Sequence, residues 1–116
     1  MAHYNLADLH THSFCSDGLR TPTQAVEEAA AAGVRVLSLT DHDTVEGVPE
    51  ALQAGEAHGI EVIPGTELSA HLDDREVHLL AYCLDHLSPR LAAYVELVHR
   101  QRRDRGAAIV QRMVTE

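Results

Sequence analysis

Short apolar runs in this chain end at or near histidine and carboxylate residues, and this arrangement strongly constrains the fold. In a parallel α/β fold the carboxyl ends of the strands meet at one edge, where binding side chains collect. Side chains suited to metal binding occur in this way at six positions, which are His10, His12, Asp17, His42, Glu67 and His78. We therefore predict that these six residues lie in one pocket and form a metal site.

Hydrophobic periodicity and turn residues predict the element order β, α, β, α, β, β, α. Thr21, Pro22 and Gln24 form a capping-box pattern that starts the first helix, and Gly33 and Gly59 are typical residues for ending the first two helices. Strands are predicted over 6–12, 34–40, 60–64 and 76–83, and helices over 23–32, from Val48 or Pro49 to His58, and from about Ser88 onward. Repeated βα units imply a parallel barrel or an open sheet in a single α/β domain.

The chemistry of the six residues favours a divalent cation. His10 and His12 are two residues apart on a predicted strand, so both imidazoles leave the same face. Asp8 shares that face, either as an acceptor that fixes a histidine tautomer or as an ordinary strand-end carboxylate. Glu67 follows the Pro64–Gly65 bend and has two oxygens with which to bridge cations. Mixed histidine and carboxylate ligands suit Mn, Fe or Zn, and the sequence does not choose among them.

The motifs around these residues resemble the polymerase and histidinol phosphatase (PHP) family of metal-dependent phosphoesterases. They are Asp8-Leu9-His10-Thr11-His12-Ser13, Ser16-Asp17-Gly18, Thr40-Asp41-His42-Asp43, Gly65-Thr66-Glu67 and Glu76-Val77-His78-Leu79-Leu80. The resemblance implies a distorted (β/α)7 TIM-like barrel, of which residues 1–116 are the N-terminal portion. It is strongest to the branch that acts on nucleotide 3′-phosphates and short oligonucleotides.

The same resemblance implies how the ligands are shared among two or three divalent cations. It assigns His10, His12 and Glu67 to one cation, Glu67 with His78 to a second, and Asp17 with His42 to a third. The family also has a further histidine and an Asp-x-His motif downstream. After His78 the only histidines of this sequence are His86 and His99, and no Asp-x-His occurs in that part of the chain.

The charge distribution limits the partners. Residues 1–87 contain 15 acids and 3 arginines, a net charge of −12, whereas residues 88–116 contain 3 acids and 6 arginines, a net charge of +3. An acidic body argues against binding to duplex nucleic acid, which requires a basic face. Arg20 follows the Asp17 loop, where it either contacts a substrate phosphate or is a surface arginine that caps the loop.

We therefore expect an enzyme that hydrolyses phosphoesters of small molecules, nucleotides or short oligonucleotides through metal-bound hydroxide. The alternatives are a phosphatase of the histidinol-phosphate type and an inactive metal-binding fragment without the downstream ligands. The sequence has neither a signal-peptide pattern nor a membrane-length apolar segment, and it has two cysteines, so we expect a cytoplasmic location with no membrane partner. A partial barrel would leave an exposed strand edge, so we also expect self-association.

Overall fold

The computed structural model describes residues 5–115, which form two compact units divided between His86 and Leu87. The element order is the predicted one. The first unit contains β1 (Leu6–Thr11), α1 (Pro22–Ala31), β2 (Val34–Leu39), α2 (Val48–His58), β3 (Glu61–Leu72) and β4 (Arg75–Tyr82), and the second contains α3 (Pro89–Thr115).

The third strand is longer than the sequence predicted. It was expected over 60–64, but β3 continues to Leu72, so Glu67 lies inside a strand and not after one. The strand changes partner at the Pro64–Gly65 step. Residues 61–64 pair in parallel with β2, and residues 65–72 pair antiparallel with β4. The bend that was expected to end the strand therefore marks the exchange of partners.

The four strands form one mixed sheet in the order β1-β2-β3-β4. The β1–β2 and β2–β3 pairs are parallel and are joined by α1 and α2, as parallel neighbours require. The β3–β4 pair is an antiparallel hairpin whose turn residues Asp73 and Asp74 have φ values of 48° and 63°. Two consecutive positive φ values are typical of a type I′ turn, which matches the twist of a hairpin. The parallel pairing implied by the βα repeats is therefore present for β1–β2 and β2–β3, whereas β4 pairs antiparallel with β3.

The sheet is curled. The hydroxyl of Tyr82 on β4 donates to the carbonyl oxygen of Leu9 on β1 at 2.7 Å, although two strands separate β1 from β4 in the sheet. The described residues thus form a mixed α/β fold with a curled half-barrel sheet, which is consistent with a fragment of the barrel that the resemblance implied.

Within the first unit, α1 and α2 pack against the sheet through the apolar side chains of β2. Leu37 and Leu39 alternate on β2 and are both buried in the core, whereas Ser38 between them donates to the carbonyl of Ile63. The core unites both helices with β2, and it consists of Val26, Leu37, Leu39, Ala51, Ala54 and Ile60. Gly55 permits the close approach of α2 to β3, because a Cβ there would lie 2.6 Å from a methyl group of Val62.

The predicted helix signals are present at both ends of α1. Thr21 accepts a hydrogen bond from the backbone N–H of Gln24 at 3.0 Å, and the Gln24 side chain accepts one from the N–H of Thr21. Pro22 occupies the first turn and Gly33 follows the helix with a φ of 87°. At the end of α2, Gly59 adopts the left-handed conformation with a φ of 68°.

The second unit is the 27-residue helix α3, which has no buried residue. Apolar residues near its C-terminus are exposed, and Ile109 and Met113 are 53% and 77% exposed. Within residues 5–115, no helix combines the length and the apolar character needed to cross a membrane.

Candidate metal centre

His10 on β1 and His12 directly after β1 turn toward the same carboxylate. Nε2 of His10 lies 3.1 Å from Oε2 of Glu67, and Nε2 of His12 lies 2.8 Å from the same oxygen. Their ring centroids are 5.1 Å apart. Asp8 accepts a hydrogen bond from the backbone N–H of His10 at 3.3 Å, which favours the strand-end role for this residue.

Glu67 lies at the centre of the site and is only 6% exposed. The backbone pairs with the segment after β2, because its N–H donates to the carbonyl of Asp41 and its carbonyl accepts from the N–H of Asp43. Oε1 lies 3.3 Å from Nδ1 of His78, while Oε2 lies close to His10 and His12. The two oxygens of the carboxylate therefore contact different histidines.

Asp17 contacts two histidines from a tight loop after β1. Its Oδ1 lies 2.6 Å from Nδ1 of His12, and its Oδ2 lies 3.2 Å from Nε2 of His42. The other nitrogen of His42, Nδ1, lies 3.6 Å from Oε2 of Glu67. His12 and His42 therefore each stand between the two carboxylates.

The structure brings all six predicted residues together, in three overlapping groups. Within each group the candidate ligand atoms lie within 4.8 Å of one another. The groups are His10–His12–Glu67, His12–Asp17–His42 and His42–Glu67–His78. This division follows the one implied by the resemblance, with His12 added beside Asp17 and with His42 added beside Glu67 and His78.

Electrostatic interactions favour the charged form of both carboxylates. Burial acts to raise the pKa of Glu67, but the hydrogen bond with His10 and the nearby charges of His42, His10 and His12 hold it below its ordinary value. The pKa of Asp17 is also lowered, mainly by its hydrogen bond with His12. Metal cations bind deprotonated carboxylates, so the lowered pKa values of Glu67 and Asp17 favour metal binding.

One atom of His12 shows that the donor set fits a cation. Among residues 5–115, Nε2 of His12 is the buried side-chain polar atom that has no hydrogen-bond partner. It lies 2.8 Å from Oε2 of Glu67 but outside hydrogen-bond geometry. A buried polar atom without a partner is costly, and a metal ion held between this nitrogen and a carboxylate oxygen would satisfy both atoms.

Two further carboxylates next to the site were missed by the sequence reasoning. Asp41 and Asp43 flank His42 and are 2% and 0% exposed, and both bind serines of neighbouring segments. The available signal was the Asp-His-Asp sequence at the end of a predicted strand. Only the histidine of this motif was predicted to take part in the site.

Arg20 and Cys15 belong to none of the three groups. Nε of Arg20 forms an ion pair with Glu28 of α1, and both side chains are at least half exposed. Its contact with a substrate phosphate stays a prediction. Cys15 is partly buried, and burial is the main cause that raises the pKa of its thiol. A thiol that resists deprotonation is a poor metal ligand.

Comparison with known proteins identifies the class to which the fold and this site belong. Residues 8–114 match the PHP domain family, so the chain belongs to that family. It is 40% identical over 102 residues to a 5′-3′ exoribonuclease of Haemophilus influenzae, covering 88% of this chain and 37% of that protein. It is 39% identical over 99 residues to a 3′,5′-nucleoside bisphosphate phosphatase of Chromobacterium violaceum, covering 85% of this chain and 35% of that protein.

A solved structure is similar to this chain in fold as well as in sequence. A candidate metal-dependent phosphoesterase of Bifidobacterium adolescentis superposes with a TM-score of 0.84 at 33% identity, covering 95% of this chain and 38% of that structure. The chain therefore spans a little over a third of the length of the relatives it matches.

Proposed function

We propose that this chain is the N-terminal part of a metal-dependent phosphoesterase that hydrolyses nucleotide or short oligonucleotide phosphates. The observation that carries the proposal is the convergence of four histidines and Asp17 around the buried Glu67. Relatives named as an exoribonuclease and a nucleoside bisphosphate phosphatase support this substrate class. In the complete protein we expect the sheet to close as a distorted (β/α)7 barrel that supplies further ligands.

The six residues have distinct roles in this proposal. His10, His12 and Glu67 would hold one divalent ion, and His42, Glu67 and His78 a second, with Asp17 joining His12 and His42 at a third. Bound divalent ions of this kind supply a nucleophilic hydroxide near neutral pH and neutralise charge on the phosphoryl oxygens. Mn, Fe and Zn all suit the mixed nitrogen and oxygen donors.

The protein contributes position and charge. Glu67 contacts His12 through Oε2 and His78 through Oε1, and its backbone is hydrogen-bonded to the segment that carries His42. The acidic body, with a net charge of −12 over residues 1–87, is unfavourable for duplex nucleic acid. A small phosphoester or a single-stranded end approaches such a site more easily than a duplex does.

Metal binding is the first test. We expect Mn²⁺ or Zn²⁺ to bind this chain and Glu67→Gln to weaken binding at least tenfold, because Glu67 belongs to two of the three groups. Glu56→Gln is the matched control, because Glu56 is exposed on α2 and lies outside all three groups. Each group offers three protein ligands and zinc prefers four, so we expect partial occupancy compared with a full-length relative. Equal binding by the parent chain and Glu67→Gln would refute the assignment.

Activity is the second test, and it separates the alternatives. Phosphate release would be measured on a 3′,5′-nucleoside bisphosphate, a short oligonucleotide and histidinol phosphate, with this chain and with any longer native form. Turnover of the first two substrates supports the proposal, whereas selective turnover of histidinol phosphate favours the other phosphatase type. Metal binding without turnover of any substrate by either form identifies a metal-binding protein and refutes the enzyme.

A further inference from the structure

Two buried carboxylates lie beside the candidate metal centre but belong to none of its three groups. Asp41 and Asp43 stand on either side of His42 in the sequence and are 2% and 0% exposed. Burial of a carboxylate is unfavourable unless hydrogen bonds replace the lost water. The hydrogen bonds that these two side chains accept come from two different segments, and each segment carries proposed metal ligands.

Asp41 holds the loop between His12 and Asp17. Its Oδ1 accepts from the backbone N–H of Ser13 and from the hydroxyl of Ser16, each at 2.6 Å. Its Oδ2 accepts from the hydroxyl of Ser13 at 2.6 Å. The loop is thereby fixed at its beginning, one residue after His12, and again one residue before Asp17.

Asp43 holds β3 in the same way on the opposite side of His42. Its Oδ1 accepts from the backbone N–H of Ser69 at 2.8 Å, and its Oδ2 accepts from the Ser69 hydroxyl at 2.7 Å. Ser69 lies two residues after Glu67 on the same strand. Asp43 has a φ of 49°, a left-handed conformation that aspartate tolerates better than most residues.

We propose that Asp41 and Asp43 are positioning residues that set the spacing of the metal groups on the two sides of His42. Asp41 fixes Asp17 and His12 against His42, and Asp43 fixes Glu67 against it. Each carboxylate holds a different segment that carries ligands, so loss of either one should affect different metal groups. This inference rests on the proposed function for the metal and deepens it by naming what holds the ligands in place.

Because the two aspartates should affect the metal affinity of different groups, their variants can be distinguished from a general loss of stability. Asp→Asn replaces one acceptor oxygen by a donor NH₂ group that faces the donors of the serines. Loss of groups that hold metal ligands typically costs 10–100-fold in metal affinity. We expect Asp41→Asn to weaken the His12–Asp17–His42 group by that factor and to leave the His42–Glu67–His78 group, which contains neither His12 nor Asp17, within about threefold. Asp43→Asn should show the opposite pattern.

Mn²⁺ titration followed by electron paramagnetic resonance would measure the affinities, with Asp104→Asn on the exposed surface of α3 as the matched control. Milder variants keep the test available if an aspartate variant fails to fold. Ser16→Ala removes one bond to Asp41, and Ser69→Ala removes the hydroxyl bond to Asp43 while the backbone bond remains. Each should weaken the same group as its aspartate variant, by a smaller factor.

Imidazole ¹⁵N spectra of the metal-free protein provide a readout that does not depend on metal. Asp41→Asn or Ser16→Ala should shift the resonances of His12 and His42 and leave those of His78 unchanged. The Asp43 and Ser69 variants should shift the resonances of His10 and His78, which contact Glu67 but not Asp17. Uniform weakening of all groups together with uniform spectral change would overturn the positioning roles. Absence of Mn²⁺ binding in the parent chain would instead refute the proposed function, and the spectra would still decide the positioning roles.

Discussion

Substitution of Gly18 by alanine tests how tightly the Asp17 loop must pack. A Cβ at this position would lie 2.5 Å from the carbonyl oxygen of His12, 2.7 Å from its carbonyl carbon and 2.9 Å from that of Ser13. All three atoms are backbone, so a side-chain rotation cannot relieve the clash. Gly18 does not have a positive φ, so the expected cost is steric. The added methyl must displace the loop that carries Asp17.

Overpacking by a methyl group costs about 1–3 kcal/mol, and a chain of this size loses roughly 4 °C of Tm per kcal/mol. We therefore expect Gly18→Ala to lower the Tm of the metal-free protein by about 4–12 °C in a circular-dichroism melt. It should also weaken Mn²⁺ binding, because Asp17 moves away from His12. Gly106→Ala is the matched control. No atom lies within 4 Å of a Cβ at that α3 position, so the same change should raise helix content. Unchanged Tm and Mn²⁺ affinity in Gly18→Ala would refute the packing argument.

Three further predictions follow from the described residues. Thr21→Ala removes the capping box of α1, so the free energy of unfolding in urea should fall by about 1 kcal/mol. The folded pKa of Glu67 lies below its ordinary value of 4.5, so its contribution to stability is present above about pH 4.5 and is lost as the pH falls through the folded pKa. Melts of metal-free Glu67→Gln should therefore depend less on pH in this range than those of the parent chain. β1 and β4 lie at the edges of the described sheet, and the unpaired edges should cause self-association that rises with concentration in sedimentation experiments. A monomer at all concentrations would contradict this.

The sequence motifs selected six candidate ligands, and the structure brings these six residues into three overlapping groups. A period of two places His10 on β1 and His12 directly after it on the same side, and terminal glycines define where α1 and α2 end. The length of β3 did not follow from these rules. Pro64 and Gly65 were interpreted as the end of the strand, since proline cannot donate in a sheet and glycine weakens one. The antiparallel partner that continues the strand becomes evident only when β4 is in place.

The roles of Asp41 and Asp43 were beyond sequence reasoning for a different reason. The serines that bind Asp41 are 25 and 28 residues away, and the serine that binds Asp43 is 26 residues away. These residues, far apart in sequence, come into contact only because β2 pairs with β1 on one side and with β3 on the other. A pattern of residues within one segment carries no information about such partners. The candidate ligands could be predicted from the sequence because clustered histidines are unusual. The residues that hold them in place are ordinary aspartates and serines.

Curvature of the sheet connects the topology to the site. Strands in a sheet lie about 4.8 Å apart, so a flat arrangement would separate β1 from β3 by about 10 Å and β1 from β4 by about 14 Å. Yet the side chains of His10 on β1 and Glu67 on β3 meet at 3.1 Å, and His12, directly after β1, lies 2.8 Å from the same carboxylate. The hydrogen bond from Tyr82 to Leu9 spans the same strands and is direct evidence of the curl. The arrangement around Glu67 therefore depends on the curled sheet as much as on the ligands, and residues that hold the curl belong to the functional architecture.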